Sequence, residues 1–454
     1  MTLTGRAALV AAAGIVAVLL APAPGWALLG WLLLLTAAII VDLVLAGAVR
    51  PLRFHRSGDT LLRLGQQGRV ELIVENPGSR RVKGRLRDAW PPSAGAGPRE
   101  LALDVPSGER RRLTLTLTPT RRGERASDSV TVRSLGPLGL AARQGRHSVP
   151  WSVRVLPPFL SRKHLPARLT KLRELEGQHP ALVRGQGTEF DSLREYVVGD
   201  DVRSIDWRAS ARRRDVVVRT WRPERDRRVL IVLDTGRTSA GRVGRAPVPL
   251  AGEPPKSRRS GAGSPEPGWP RLDWSMDAAL LLAALAARAG DRVDFLAYDR
   301  TVRAWLSGAS RSELMTTLVN TMAPIEAELV ETDSPGMVAA ILARAKRRCL
   351  VVLLTDLNAA ALDEGLMPVL PQLSSRHLVL VAAVSDPAVA AMAARRGTAE
   401  EVYDAAAAEF TRMERRGIVA RLRRNGVEVV DAPPEDIAPA LADAYLALKA
   451  AGRL

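Results

Sequence analysis

Cysteine, histidine and aromatic residues are scarce in this chain. One cysteine, Cys349, stands among 454 residues. No disulfide framework exists, which fits a reducing compartment. The histidines, His55, His147, His164, His179 and His377, are scattered and show no metal-ligand spacing. No Gly-rich phosphate loop with its lysine is present, and no Ser or Thr has a His–Asp partner visible in sequence. Aromatics are only 4% of the chain, so each tryptophan or tyrosine that does occur merits notice. A negative balance is also missing: the net charge is +18. The arginines are spread along the chain with acids interleaved. That favours a membrane-facing or general surface role over a dedicated nucleic-acid patch, and no specific nucleic-acid partner is expected. What is abundant is apolar: 46% of residues are hydrophobic, enough for the cores of two or three domains at this length.

Two apolar runs open the chain. Leu3 to Leu20 is broken by Ala21-Pro22-Ala23-Pro24-Gly25, and Trp26 to Val49 follows, long enough to span a bilayer. The expectation is a transmembrane helical hairpin over residues 1–50. Arg6 precedes the first span, and Arg50, Arg53 and Arg56 follow the second. The uncharged turn lies between them. The positive-inside rule then puts both termini, and the bulk of the chain, in the cytoplasm. Asp42 in the second span reads as a snorkelling or helix-paired carboxylate. Trp26 and Trp31 are expected near the outer interface.

From residue 51 to 160 the period changes to two. Val70–Glu75 and Leu113–Thr118 alternate, Ser129–Val132 and Trp151–Leu156 read as further strands, and Asn76-Pro77-Gly78 and Leu135-Gly136-Pro137 mark turns. Short strands at this spacing predict a small β-sandwich, immunoglobulin-like in shape. Ser161 to Glu176 is charged and reads as a linker helix.

Residues 185–228 hold the densest mixed charge. Asp201 is a candidate N-cap for a short helix through Ser204–Arg212, and Val216–Val218 reads as a strand. So many opposite charges allow Arg–carboxylate forks that would fix how neighbouring domains meet. An acidic metal cluster on Asp200, Asp201 and Asp206, as in a hydrolase or nuclease, is the alternative. Trp207 is the largest apolar anchor of the stretch and is expected to be packed.

From residue 229 to 454 the pattern is α/β. Val229–Leu233 is a continuous apolar run, as a buried parallel strand requires. Residues 242–270, rich in Pro, Gly, Ser and Arg, read as a disordered insertion. Helices alternate with strands at Val293–Tyr298, Val302–Leu306, Cys349–Thr355, His377–Val384 and Val427–Val430. This gives a doubly wound sheet, whose ligands sit at the carboxyl ends of strands. Asp234 and Thr355-Asp356 occupy such ends.

The stretch LREYVVGDDVRSIDWRASARRRDVVVR, followed by Pro223-Glu224-Arg225-Asp226, resembles the signature of the bacterial domain-of-unknown-function family numbered fifty-eight, closely over the motif and loosely over most of the chain. Its signature positions here are Leu193, Arg194, Glu195, Tyr196, Gly199, Asp200, Asp201, Arg203, Asp206, Trp207 and Arg212. The resemblance implies a von Willebrand A-like α/β domain. It also implies a MoxR-type AAA ATPase as partner, in a chaperone-like or assembly role with no catalysis of its own. It maps Asp234, Thr238, Thr332 and Asp356 onto a metal-ion-dependent adhesion site that would take Mg²⁺. Here the first Ser of Asp-x-Ser-x-Ser is Gly236, so one hydroxyl is missing. Arg237 beside it would stand in for the cation on Asp234 or Asp356. Thr332 is placed only by its order along the chain, and Ser334 fits the spacing as well.

Overall fold

The computed structural model describes residues 2–178, 189–197, 202–213, 215–222, 227–246 and 268–454. The chain separates into two compact units, one from Met1 to Pro158 and one that begins at Phe159 and ends at Leu454.

The first unit begins with helices Gly5–Leu20 and Pro24–Leu45. The 22-residue second helix is long and apolar enough to cross a membrane, and the first is apolar but shorter. At about 1.5 Å per residue the first helix falls short of a hydrocarbon core about 30 Å thick. These helices suggest membrane anchoring. They pack closely because Gly14 has no side chain: a Cβ there would lie 2.0 Å from the Trp31 indole nitrogen. Trp31 therefore fills the gap between the helices, and Trp26, beside the turn, is 79% exposed.

Two sheets follow. One runs in the order Ala141–Leu156, Gly123–Leu135, Val82–Asp88, Glu100–Val105. Thr2–Leu3 pairs on its outer edge. The other contains Arg53–Gly58, Gly68–Glu75, Arg110–Leu117 and Ala96–Gly97. The alternation in sequence becomes two-sidedness in space. Leu72, Val74 and Leu115 of one sheet meet Val82, Leu86, Leu103, Val130 and Val132 of the other in a single core. Thr114 and Thr116 face water. Arg56, expected as a positive flank of the second helix, is instead buried. Its Nη2 lies 2.8 Å from Asp88 Oδ1, and Ser127 Oγ and Trp90 Nε1 complete the carboxylate's partners at 2.6 and 2.9 Å. Burial works to lower the Arg56 pKa, and the Asp88 charge and hydrogen bond counter only part of that. Arg56 Nη1 also donates to the Ser127 carbonyl at 3.3 Å, so most, though not all, of the donors and acceptors of this deep pair are met.

The second unit is a six-stranded sheet in the order Val302–Leu306, Arg292–Tyr298, Arg228–Asp234, Leu350–Leu354, Leu378–Val384, Glu428–Ala432. All neighbours are parallel except the first pair. Helix Arg271–Arg288 is buried from Leu272 to Ala287, and Gly290 beyond its end takes φ +80°, the left-handed stop that glycine adopts without strain. Helices Ser334–Arg344 and Ala399–Arg424 supply apolar residues to a core shared with the strands, among them Met337, Ile341, Ile418 and Leu422.

Two expectations change here. The stretch taken as a linker belongs to this unit. Leu172 of helix Leu165–Gln178 is buried, and Arg168 pairs with Asp443 at 2.7 Å. The expected insertion is narrower, because Arg242–Val243 pairs with Trp269–Pro270 and Trp269 is buried. Residues 247–267 lie outside the described residues.

Asp277 fastens the start of this unit. Its carboxylate accepts the Ser161 N–H at 3.1 Å on both oxygens, and Ser161 Oγ donates to the Asp277 carbonyl at 3.1 Å. Burial pushes the Asp277 carboxyl from 3.8 up to about 6, against the pull of those hydrogen bonds. A folded pKa above the unfolded one means the native state holds the proton longer. The stability this group contributes is complete below pH 3.8 and is lost as pH rises through about 6. Its size is of order 3 kcal/mol. Asp277→Asn is expected to flatten that part of the pH–stability curve and to raise the melting temperature at pH 7. An unchanged slope between pH 4 and 6 in denaturant melts would contradict this.

Candidate functional site

The central strand is apolar from Val229 through Leu233 because helices cover both of its faces, and the polar residue at its carboxyl end is Asp234. Asp234 is 4% exposed. Its Oδ1 accepts the Gly236 N–H at 2.9 Å and the Thr332 hydroxyl at 2.6 Å, and its Oδ2 accepts the Thr355 hydroxyl at 2.6 Å. Burial raises the Asp234 pKa, the hydrogen bonds from Thr332, Thr355 and Gly236 draw it back, and the Asp299 charge raises it further; the net direction is up. The Ser239 hydroxyl donates to the Asp234 carbonyl at 2.7 Å and secures the strand end.

Gly236 explains the missing hydroxyl. A Cβ at this position would lie 2.1 Å from Thr332 Oγ1 and 3.0 Å from the Val330 carbonyl. The Thr332 hydroxyl occupies the space a serine side chain would need. Thr332 therefore stands beside Asp234, while Ser334 starts the helix capped by Asp333.

Asp356 is engaged differently. Arg415 Nη1 donates to its Oδ1 at 2.9 Å, and Arg271 Nη1 lies 3.3 Å from its Oδ2. Arg415 also forks onto Asp431 through Nε and Nη2, both at 2.8 Å. Burial tends to lower the Arg415 pKa, but Asp431 and Asp356 outweigh it and hold it above the ordinary value. Arg237 does not reach either aspartate; it pairs with Glu331 at the surface. The guanidiniums that do face the site come from Arg271 and Arg415. Thr238 meets Arg271 through its backbone carbonyl at 3.5 Å. Next to this edge, Thr235 Oγ1 donates to Asp299 Oδ2 at 3.1 Å. Burial raises the Asp299 pKa, and Arg303 with the Arg300, Thr301 and Thr235 donors lowers it below the usual carboxylate range.

Mg²⁺ takes about six oxygens in near-octahedral array, several of them water, and is held by one or two carboxylates that must be open to it. The donors that converge here are one carboxylate and two hydroxyls, and the second carboxylate faces two guanidiniums. Among the described residues no group of three or more His, Cys, Asp or Glu comes together to hold a metal ion. The residues present do not fit the cation that the resemblance implies.

The charged signature folds as a hairpin with a short helix. Strand Glu189–Glu195, with Leu193, Arg194 and Glu195, pairs antiparallel with Val217–Arg222, and the Tyr196 N–H continues the ladder to Val216. Arg203 lies in a 3-10 turn, Val202–Ser204. Helix Trp207–Arg213, which carries Arg212, starts after Asp206. The Asp206 Oδ1 accepts the Arg208 and Ala209 N–H groups, each at 3.0 Å. The cap is thus Asp206. Gly199, Asp200 and the expected cap Asp201 lie outside the described residues. Ser210 Oγ accepts the Val217 N–H at 2.9 Å and ties the helix to the strand. Trp207, expected as a packed anchor, is 67% exposed. Packing here falls to Val217 and Val218.

The family described as "Protein of unknown function DUF58" matches residues 192–245 and 269–427. That match supports the DUF58 family. It covers the C-terminal region and starts within the signature, so the looser likeness expected nearer the N-terminus is not part of it. No curated protein matches the chain. Among solved structures, the crystal structure of a CARDB domain from Pyrococcus furiosus is 16% identical. That comparison covers 23% of this chain and 91% of that one, with a TM-score of 0.18. A β-glucosidase from Listeria innocua is 14% identical over 23% of this chain and 16% of that one, with a TM-score of 0.16. Likeness at these scores carries no argument. Within the DUF58 region, Arg271 and Arg415 were not legible as site residues. Their partner Asp356 is distant along the chain, and arginine is common throughout.

Gly236→Ser is expected to displace the Thr332 hydroxyl and destabilise the second unit by about 1–3 kcal/mol, as overpacking does. Thr332→Val in the same background should relieve none of the steric strain, since the methyl replaces the hydroxyl in the same space. A Gly236→Ser melt equal to wild type would contradict this geometry.

Proposed function

We propose that this chain is a membrane-anchored interaction protein with its bulk in the cytoplasm. In this reading it works with a MoxR-type AAA ATPase in a chaperone-like or assembly role and catalyses no reaction itself. The observation that carries the proposal is Trp207: the largest apolar residue of the signature segment is 67% exposed, where folding gains least from it. An exposed tryptophan on a helix fixed by a cap and a strand contact is the kind of anchor that protein interfaces use. A second apolar stripe, Val402, Tyr403, Phe410 and Met413, is exposed on the long helix that also carries Arg415.

The reading of the second unit as von Willebrand A-like belongs to this proposal. It is supported by the strand order, with one antiparallel edge strand, and by Asp234 at the end of the central strand. In this protein the edge would dock a partner through fixed side chains and not through a bound cation. Cytoplasmic orientation is supported by Arg6, Arg50 and Arg53 flanking the apolar helices; Arg56 no longer counts, being inside the sandwich. The alternative, a metal-dependent hydrolase or nuclease built on the signature acids, has less support. Asp206 already serves as a helix cap.

Binding of the purified full chain to a MoxR-type ATPase from the same genome tests the proposal. Trp207→Ala is expected to weaken binding about thirtyfold or more, as loss of a hot-spot aromatic does. The melting temperature should hold, because the side chain is exposed. No binding by the wild type, or equal binding by the variant, would overturn it.

A further inference from the structure

Asp42 sits near the end of an apolar helix and is 0% exposed. It neither snorkels nor pairs with the neighbouring helix. Its Oδ1 accepts the Leu138 N–H at 2.8 Å, and its Oδ2 accepts the Leu140 and Ala141 N–H groups at 2.6 and 2.8 Å. These donors belong to the turn between the two longest strands of the sandwich, Gly123–Leu135 and Ala141–Leu156. Gly136 admits the carboxylate: a Cβ there would lie 2.1 Å from Asp42 Oδ1. Charge-assisted bonds from three oriented N–H groups hold an anion firmly.

The same junction closes the helix end. The final carbonyls of a helix lack intrahelical donors and carry its negative pole. Here Arg143 Nε donates to the Leu43 carbonyl at 2.8 Å, and Arg80 Nη1 donates to that of Val44. The first helix is tied to the same turn. Thr4 Oγ1 donates to the Gly139 carbonyl at 2.6 Å, and Thr2 and Leu3 pair with Ala142 and Ala141. Arg6 lies over Gly139, with its Nη1 3.0 Å from where a Cβ would be. The connection onward has no slack, because Ala46, Val49 and Leu52 are all buried.

We propose that this junction seats the sandwich on the membrane surface as one rigid body with the apolar helices, its turn and the arginines Arg6, Arg80 and Arg143 lying in the phosphate layer of anionic lipid. The inference rests on the reading of those helices as a membrane anchor. The occupant follows from continuity. Leu9 and Leu33 on the helices are 72% and 64% exposed, and the exposed apolar surface runs on to Leu3 and Leu138, 67% and 50% exposed, beside the three guanidiniums. Apolar side chains mixed with arginine at the end of a span match the chemistry of the headgroup zone.

The test uses the full chain in phosphatidylcholine vesicles with and without phosphatidylglycerol. An environment-sensitive fluorophore is placed in turn at Leu33→Cys, Leu138→Cys and Tyr403→Cys; the wild type, whose cysteine is buried, is the labelling blank. Lipids carrying a quencher in the tail or at the headgroup read depth. The expected result is tail-depth quenching at position 33, headgroup-depth quenching at 138 that strengthens with phosphatidylglycerol, and none at 403. Asp42→Leu, and independently Gly136→Ala, should release position 138 to the level of 403 and leave 33 in place. Tail-depth quenching at 33 with an aqueous 138 in the wild type would overturn this proposal and leave the anchor reading standing. An aqueous signal at 33 would overturn both. A 138 signal at headgroup depth that neither variant moves would show that Asp42 is not what seats the turn.

Discussion

A carboxylate removed from water must be met by donors, or folding fails at that point. This constraint organises the chain. A buried charge left alone costs several kcal/mol, comparable with the whole stability of a domain. Five aspartates meet it in different ways. Asp42 takes three backbone N–H groups, and Asp88 takes a guanidinium, a hydroxyl and an indole. Asp277 takes the Ser161 backbone, Asp234 takes two threonine hydroxyls and an amide, and Asp356 takes two arginines. In each case at least one donor comes from a segment distant in sequence. Each aspartate therefore joins two parts of the fold and fixes their geometry.

The consequence for function lies at the carboxyl edge of the α/β sheet. Asp234 and Asp356 stand where such sheets place ligands. Here Thr332 and Thr355 satisfy one, and Arg271 and Arg415 neutralise the other. On the proposed reading this edge, with both carboxylates engaged by the chain's own side chains, is a surface that a partner recognises. The exposed Trp207 and the stripe on helix Ala399–Arg424 offer apolar area that the protein's own core does not use.

Local pattern carried much of the fold. Alternation at Leu113–Thr118 and the unbroken run Val229–Leu233 report burial directly, since each residue's face follows from its spacing. Strand Val302–Leu306 has the limits its pattern predicts. Pairings across long separations were not legible. Arg56 read as a membrane flank because Asp88 is 32 residues away. Arg415 gave no sign of Asp356, 59 residues away. Trp207 read as a packed anchor because of its size, which says nothing of its direction. Arg237 was assigned to the site by adjacency alone, whereas its side chain turns outward to Glu331.

The proposed docking role rests on closure of the sheet edge by residues of the chain and not by a cation. A calorimetric titration of Mg²⁺ into the full chain tests this directly, with Asp234→Ala beside it. No saturable heat at millimolar Mg²⁺ is expected for either protein. A one-site isotherm in the wild type that disappears in Asp234→Ala would contradict it, and would mean that the threonine hydroxyls turn their lone pairs to a metal.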